Sequence, residues 1–262
     1  MKNKTVRRMM AGGLVLLLAA AGLSLARGQA DDGALERVQS GRVLRVGLDA
    51  SFPPFETLDT AGEVTGVDAD LARALAARLG AEPTFANIGF DGLYDALLAD
   101  KVDVVISGLP YDPRRTRDVI YSAPYFNAGQ VIIARAGDTA LGGRQALAGR
   151  SVAVEWGSQA DMEARHLKQT VAGLTLLSQP TAQDALQALV AGQADAAIAD
   201  GVSARQFMRS NAGQVRVVET LTDEPYVIAS RARSRRLAEA INSALLDLRK
   251  SGELDRLLGR WF

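Results

Sequence analysis

Asp95-Ala96-Leu97-Leu98, followed by Lys101-Val102-Asp103-Val104-Val105-Ile106-Ser107-Gly108, has a counterpart further along the chain. There Asp184-Ala185-Leu186-Gln187-Ala188-Leu189 leads into Gln193-Ala194-Asp195-Ala196-Ala197-Ile198-Ala199-Asp200. Each copy reads as a helix end, a tight turn, an Asp and a buried strand that closes on small or polar residues. The match of Asp103 with Asp195 points to two equivalent lobes; the alternative is that helix–turn–strand units all look alike. Upstream, Leu44, Val46 and Leu48 alternate as one face of a strand. Asp68 to Leu79 carries Leu71, Ala74, Leu75 and Leu79 at helical spacing and stops at Gly80. Phe90, Leu93, Tyr94, Leu97 and Leu98 form a second helical stripe. Alternating units of this kind predict an α/β fold with largely parallel sheets. Such sheets bind ligands beyond the C-terminal ends of their strands. Two lobes with those ends facing each other make a cleft, with residues 107–110 and 199–200 on opposite walls.

Composition narrows the function classes. At roughly 150 residues per domain, 262 residues make one large domain or two modest ones. The chain has no Cys, which excludes disulfides, thiolate metal sites, cysteine nucleophiles and a lipid-modified Cys. Its single His excludes a His-cluster metal site, and neither a metal nor a cofactor is expected. Basic and acidic residues balance at 30 each, but Lys2, Lys4, Arg7, Arg8 and Arg27 lie in the first thirty residues, which hold no acid. The rest is therefore acidic, and no nucleic-acid partner is expected.

Those first thirty residues read as an address. A basic start precedes an uncharged apolar run from Met9 to Ala26, and Ser24-Leu25-Ala26 and Gly28-Gln29-Ala30 both offer small-x-Ala cleavage patterns. This is the order of a secretory signal peptide, with cleavage expected near Ala30. The alternative is an uncleaved anchor, for which the run falls short of the ~20 apolar residues a span prefers. The expectation is an exported, periplasmic, soluble protein that is not a lipoprotein.

Ser107-Gly108-Leu109-Pro110-Tyr111-Asp112-Pro113-Arg114-Arg115-Thr116-Arg117 resembles a motif of the family 3 extracellular solute-binding proteins, which serve amino-acid ABC importers. Asp49-Ala50-Ser51-Phe52-Pro53-Pro54-Phe55 is similar to the family's first-strand loop, and Gly66-Val67-Asp68-Ala69-Asp70-Leu71 to its first-helix signature. Tyr121-Ser122-Ala123-Pro124-Tyr125-Phe126, Thr222-Asp223-Glu224-Pro225-Tyr226 and the terminal Trp261-Phe262 also fit. The resemblance implies a bilobal periplasmic-binding-protein fold, type II-like, with two α/β lobes joined by two hinge crossings. Lobe one is expected over residues 41–133 plus 226–262 and lobe two over 138–222, with crossings near Ile133–Gly137 and Asp223–Tyr226.

The resemblance also implies roles. Arg115 is expected to grip the ligand's α-carboxylate, for which the planar, permanently charged guanidinium is suited. Asp200 matches the acid that holds the α-ammonium from the other lobe; its second reading is the cap of a helix starting near Ser203. Phe52 and Phe90 match positions that pack on the ligand side chain, with plain core packing as the alternative. Ser107, Gly108 and the loop Val154-Glu155-Trp156-Gly157-Ser158-Gln159 complete the expected site, Ser158 through its hydroxyl. Trp156 reads equally as packing, and His166 as a solvated bystander.

Two departures from the family pattern bear on the ligand. Pro110 stands where the family usually has Thr or Ser, and it has neither amide hydrogen nor hydroxyl. Glu155 stands at a position that faces the ligand side chain, and Gln159 replaces a common Thr. With Asp49 and Asp200, Glu155 sets three carboxylates around Arg115, which predicts a ligand with extra positive charge, such as a basic amino acid. The expected function is capture of a small polar solute, an amino acid, and its delivery to an ABC permease by a monomer. The alternatives are a cyclohexadienyl dehydratase-like enzyme with Glu155 as the acid, and a sensing module for a separate receptor. No nucleophile–His–acid set and no phosphate-cradling loop are present, so no enzyme is expected.

Overall fold

The structure, a computed structural model, describes residues 31–262; the expected leader of residues 1–30 lies outside the described residues. Helix α1 (Ala34–Gly41) leads into β1 (Val43–Leu48), whose Leu44, Val46 and Leu48 are fully buried as their alternation predicts. A small antiparallel flap follows, made of β2 (Ser51–Phe52), β3 (Glu56–Leu58) and β4 (Val64–Thr65). Helix α2 (Val67–Arg78) buries Leu71 and Leu75 and ends before Gly80, whose φ of 73° suits a helix stop. Then come β5 (Glu82–Asn87), a 3-10 turn at Phe90–Gly92, α3 (Leu93–Leu98), β6 (Val104–Val105), β7 (Val119–Tyr121) and β8 (Phe126–Asn127).

The next run of chain builds a separate sheet. It comprises β9 (Gln130–Arg135), β10 (Ser151–Glu155), α4 (Gln159–Thr170), β11 (Thr175–Gln179), α5 (Ala182–Val190), β12 (Ala196–Asp200), α6 (Gly201–Ser210) and β13 (Val215–Thr220). The chain then returns through β14 (Pro225–Tyr226) to β15 (Ala229–Arg231), α7 (Arg235–Lys250) and α8 (Glu253–Leu258). The strand orders are β5-β1-β6-β15-β7 and β11-β10-β12-β9-β13. Each sheet has a separate core: Leu44, Leu75, Ile106 and Leu245 belong to the first, and Ile133, Leu186, Ile198 and Val154 lie on the two faces of the second.

Both sheets hold one strand that runs against both neighbours, β15 in the first and β9 in the second. The cause is the double crossing. Gln130 at the start of β9 pairs with Asp200 at the end of β12, and Ala229 at the start of β15 pairs with Val105 at the end of β6. A chain arriving at the C-terminal ends of the parallel strands can only run back against them.

The two copies of the helix–turn–strand unit are equivalent in detail. Asp103 accepts the amide of Arg45 in β1, and Asp195 accepts the amide of Ser151 in β10. The turns carry matching bonds, Lys101 N–H to Ala96 O and Gln193 N–H to Ala188 O, both 2.9 Å. A carboxylate aimed inward from the start of one strand thus aligns its parallel neighbour, β1 or β10.

The crossings form a two-stranded ribbon, with Phe126 opposite Tyr226 and Asn127 opposite Pro225. Its second strand lies inside the expected Asp223–Tyr226 stretch. The first crossing falls at Phe126–Gly129 rather than Ile133–Gly137, because β9 belongs wholly to the second sheet. Lobe one is correspondingly shorter than the expected 41–133. The ribbon is held tightly: the Gly201 amide donates to Ala128 and Gly129 carbonyls, and a Cβ on Gly129 would stand 1.8 Å from the Thr222 carbonyl oxygen. The terminal Trp261-Phe262 closes the same region, with Phe262 stacked on Phe126 and Arg209 of α6 donating to the Trp261 carbonyl. No helix among the described residues is long and apolar enough to cross a membrane.

Gly129→Ala therefore forces the two crossing strands apart. Chemical denaturation should register a loss of about 1–3 kcal/mol, the range for overpacking; unchanged stability would mean that the crossing has slack.

Candidate functional site

The C-terminal ends of β1 and β6 on one lobe, and of β10 and β12 on the other, carry most of the residues expected to bind ligand; Phe52 sits on β2, Phe90 follows β5 and Arg115 lies on its own short turn. On lobe one they frame a cavity of about 310 Å³ lined by Asp49, Phe52, Phe90, Ser107, Gly108 and Pro110, with Ser51 and Tyr226. It shares Phe90 and Pro110 with a second cavity of about 510 Å³, which Asp91, Tyr94, Tyr111 and Arg115 also line.

The aromatic wall is built in two layers. Phe55 is fully buried and stacks under Phe52 at 5.4 Å and 11°. Phe52 and Phe90 are themselves 41% and 45% exposed, so their faces are presented to the cleft rather than spent in the core. Phe90 begins the apolar stripe, yet only Leu93 and Leu97 of that stripe are fully buried. Gly108 lets the wall approach the backbone: its φ is 47°, and a Cβ there would lie 2.9 Å from the Phe52 ring.

Several polar groups at the site are committed to the protein itself. The Ser107 hydroxyl accepts the Asp49 amide at 3.0 Å and donates to Glu56 Oε1 at 2.7 Å, so Ser107 braces the loop instead of reaching outward. Asp49 Oδ2 accepts the Phe90 amide at 2.8 Å, which ties the first-strand loop to the Phe90 turn. The Ser158 hydroxyl caps α4 by accepting the Asp161 amide and donates to the Glu155 carbonyl, so its proton is already committed. Gln159 bonds Glu163 along the helix. Glu155 ends β10 half-buried, Trp156 is 72% exposed and so is no packing residue, and His166 lies exposed on α4.

Arg115 ends a short 3-10 turn over Pro113–Arg115 that Asp112 caps through the Arg114 amide. Its guanidinium lies 4.0 Å over the Tyr94 ring and 3.6 Å from Asp112 Oδ2, with the side chain 46% exposed. Hydrogen bonds from Arg114 hold the Asp112 carboxyl below the usual range. Tyr94 shares a 2.8 Å hydroxyl contact with Tyr121, and burial raises both phenols, so the ring under Arg115 stays neutral. A cation stacked on a ring, with a water-facing edge and only a long ion pair, keeps donors available for an incoming anion.

Opposite, Asp200 Oδ1 accepts the amides of Val202 and Ser203 at 3.0 and 2.8 Å. The capping reading is therefore realised, on a helix that starts at Gly201, earlier than expected. Cap and ligand contact do not exclude each other, because Oδ1 alone makes both capping bonds.

Sequence reasoning missed Tyr94 and Tyr226 as site residues. Tyr94 sits at helical spacing in an apolar stripe and reads as core; Tyr226 falls in the motif of the second crossing and reads as part of it. Among the described residues no group of three or more His, Cys, Asp or Glu side chains is arranged to hold a metal.

Comparison with known proteins agrees with this fold. Residues 44–262 match the bacterial extracellular solute-binding proteins, family 3. The ABC transporter arginine-binding protein 1 of Escherichia coli is 30% identical over 224 residues, covering 84% of this chain and 90% of that one. A crystal structure of ArgBP from T. maritima is 38% identical, with a TM-score of 0.53 over 87% of this chain and 99% of that one. An ancestral cationic amino acid solute-binding protein is 31% identical, with a TM-score of 0.63 over 87% of this chain and 99% of that one.

The Asp200 cap is separable from its charge. Asp200→Ala should lower stability by about 1 kcal/mol, the usual loss for a helix cap, whereas Asp200→Asn keeps an accepting oxygen and should lose only a few tenths. Equal losses in thermal or chemical unfolding would contradict the cap.

Proposed function

Because the chain belongs to family 3 of the bacterial extracellular solute-binding proteins, we propose that it captures a basic amino acid in the cleft between its lobes and delivers it to the permease of an ABC importer. The observation that carries this reading is the charge arrangement. Arg115 is half-exposed over Tyr94, its one ion-pair partner Asp112 is 3.6 Å away, and Asp49, Glu155 and Asp200 stand at the strand ends around the cleft. The arginine-binding and cationic-amino-acid-binding names of the relatives support the same class of ligand.

Arg115 leaves its stacking position to take the α-carboxylate through its guanidinium fork. Asp200, through the oxygen that does not cap α6, takes the α-ammonium. Charged hydrogen bonds contribute about 1.5–3 kcal/mol each, so a zwitterion held from both lobes favours the closed form. Phe52 and Phe90 cover the aliphatic stem, and Asp49 and Glu155 offset the distal charge. Pro110 contributes no hydrogen bond to the carboxylate, which places more of that grip on Arg115.

Closure is hinge bending at the β8–β14 ribbon. The closed shape is what the permease recognises; opening there releases the solute, and ATP is hydrolysed in separate cytoplasmic subunits. The protein works as a monomer in the periplasm, reached by the leader of residues 1–30. Its role is binding rather than catalysis.

Isothermal titration with arginine, lysine, glutamate and leucine tests the ligand class: a basic ligand should bind best, and tighter binding of glutamate or leucine would contradict it. In the same assay Arg115→Ala should weaken the best ligand by about 2–5 kcal/mol, the range for removing one partner of a buried charge pair. Unchanged affinity would remove Arg115 from the site. Exposed Trp156 reports closure: its fluorescence should shift on ligand addition, and that shift should disappear in Trp156→Phe.

A further inference from the structure

Behind the aromatic wall lie two carboxyl groups that face no solvent. Glu56 on β3 is 1% exposed, and Asp68 in the first turn of α2 is 0% exposed. Each holds one of the strand ends that form the cleft. Glu56 Oε1 takes the Ser107 hydroxyl at 2.7 Å, and that hydroxyl in turn takes the Asp49 amide at 3.0 Å. Asp68 Oδ2 takes the Gly108 amide at 2.5 Å. The backbone on which Phe52 and Gly108 meet therefore hangs from this pair.

The other oxygen of each group, Glu56 Oε2 and Asp68 Oδ1, is buried without a donor among the described residues. An ionised carboxylate only accepts. Two ionised carboxyls in contact would leave both oxygens unpaired and place two like charges in a low-dielectric interior. A single proton between them removes one charge and satisfies both oxygens. Beyond the Ser107 and Gly108 donors, the surroundings offer the Tyr125 hydroxyl beside Asp68, a neutral donor that leaves the second charge uncompensated. Asp49 faces Glu56, the buried Tyr125 hydroxyl faces Asp68, and the Tyr226 phenol lies near both, while no Lys, Arg or His is among the groups acting on either carboxyl. Burial, with the neighbouring charge for Glu56, raises both groups above the usual carboxylate range.

We propose that Glu56 and Asp68 share one proton, and that the singly protonated pair is the positioning device that sets the Asp49 and Gly108 amides for ligand binding. The folded pair keeps its proton where an unfolded chain has lost it. Stability of the ligand-free protein therefore falls as pH rises above about 4, the unfolded carboxylate range, until the folded pair ionises. Once it ionises, the Ser107-Gly108 segment loses its anchor and affinity falls. The affinity arm of this proposal rests on the ligand class proposed above; the proton itself does not.

Infrared spectroscopy of the ligand-free protein at about pH 8, where free carboxyls are ionised, tests the proton directly. The wild type should show a protonated-carboxyl band that disappears in both Glu56→Gln and Asp68→Asn; a wild type without the band overturns the proposal. Amide exchange at Gly108 tests the positioning. Protection should be lost in the wild type at the pH where the band is lost and be retained in Glu56→Gln, and identical profiles would overturn it. Arginine affinity should fall about tenfold per pH unit beyond that point in the wild type and stay level in Glu56→Gln. If arginine binds neither protein, the ligand class fails, and the band and the Gly108 protection still decide the proton.

Discussion

The ribbon in which Phe126 and Asn127 face Tyr226 and Pro225 is the joint that the rest of the molecule is arranged around. Because the chain passes it twice, each lobe receives one interior strand from the cleft side, and that strand must run backwards. The same geometry places every parallel strand end of both sheets at the joint's open side. Candidate site residues at the ends of β1, β6, β10 and β12 are thus far apart in the sequence yet lie on the same side of their sheets. Gly129 and Gly201 sit where a Cβ would meet backbone oxygen atoms, so the joint is narrow and its position is well defined.

On that frame the two walls do different work. Lobe one supplies shape: a fully buried Phe55 supports Phe52, Gly108 lets the ring close on the backbone, and Glu56 and Asp68 hold the loop from behind. It also carries Arg115, held on Tyr94 with Asp112 3.6 Å away. Lobe two supplies helix starts and carboxylates at the ends of β10 and β12. Its Asp200 ends β12 and caps α6, so the acid is rigid because one oxygen is already committed. Fixed charges on stiff elements lose little freedom when a ligand arrives, and the conformational change is confined to the joint.

Much of this was legible from residues alone. Leu44, Val46 and Leu48 alternate because one face of β1 packs on the core, and Asp103 and Asp195 announce equivalent strands because each satisfies an amide of the parallel neighbour. The first crossing was not legible. Val131, Ile132, Ile133 and Ala134 are all buried, so β9 shows no alternation that would assign it to one sheet or mark its edge. Tyr94 was hidden by a helical stripe that looks like core, and the hydroxyls of Ser107 and Ser158 looked available because sequence does not reveal that backbone amides had already claimed them. Asp68 reads as an ordinary acid in a motif and Glu56 follows one directly; only their burial distinguishes them.

The central claim is that one small zwitterion joins the two lobes through Arg115 and Asp200. A crystal structure of the protein grown with arginine tests it most directly. The account predicts a closed cleft, with Arg115 moved off Tyr94 onto the ligand carboxylate and Asp200 on its ammonium. A bound ligand with Arg115 still stacked on Tyr94, or one held by a single lobe, would contradict it.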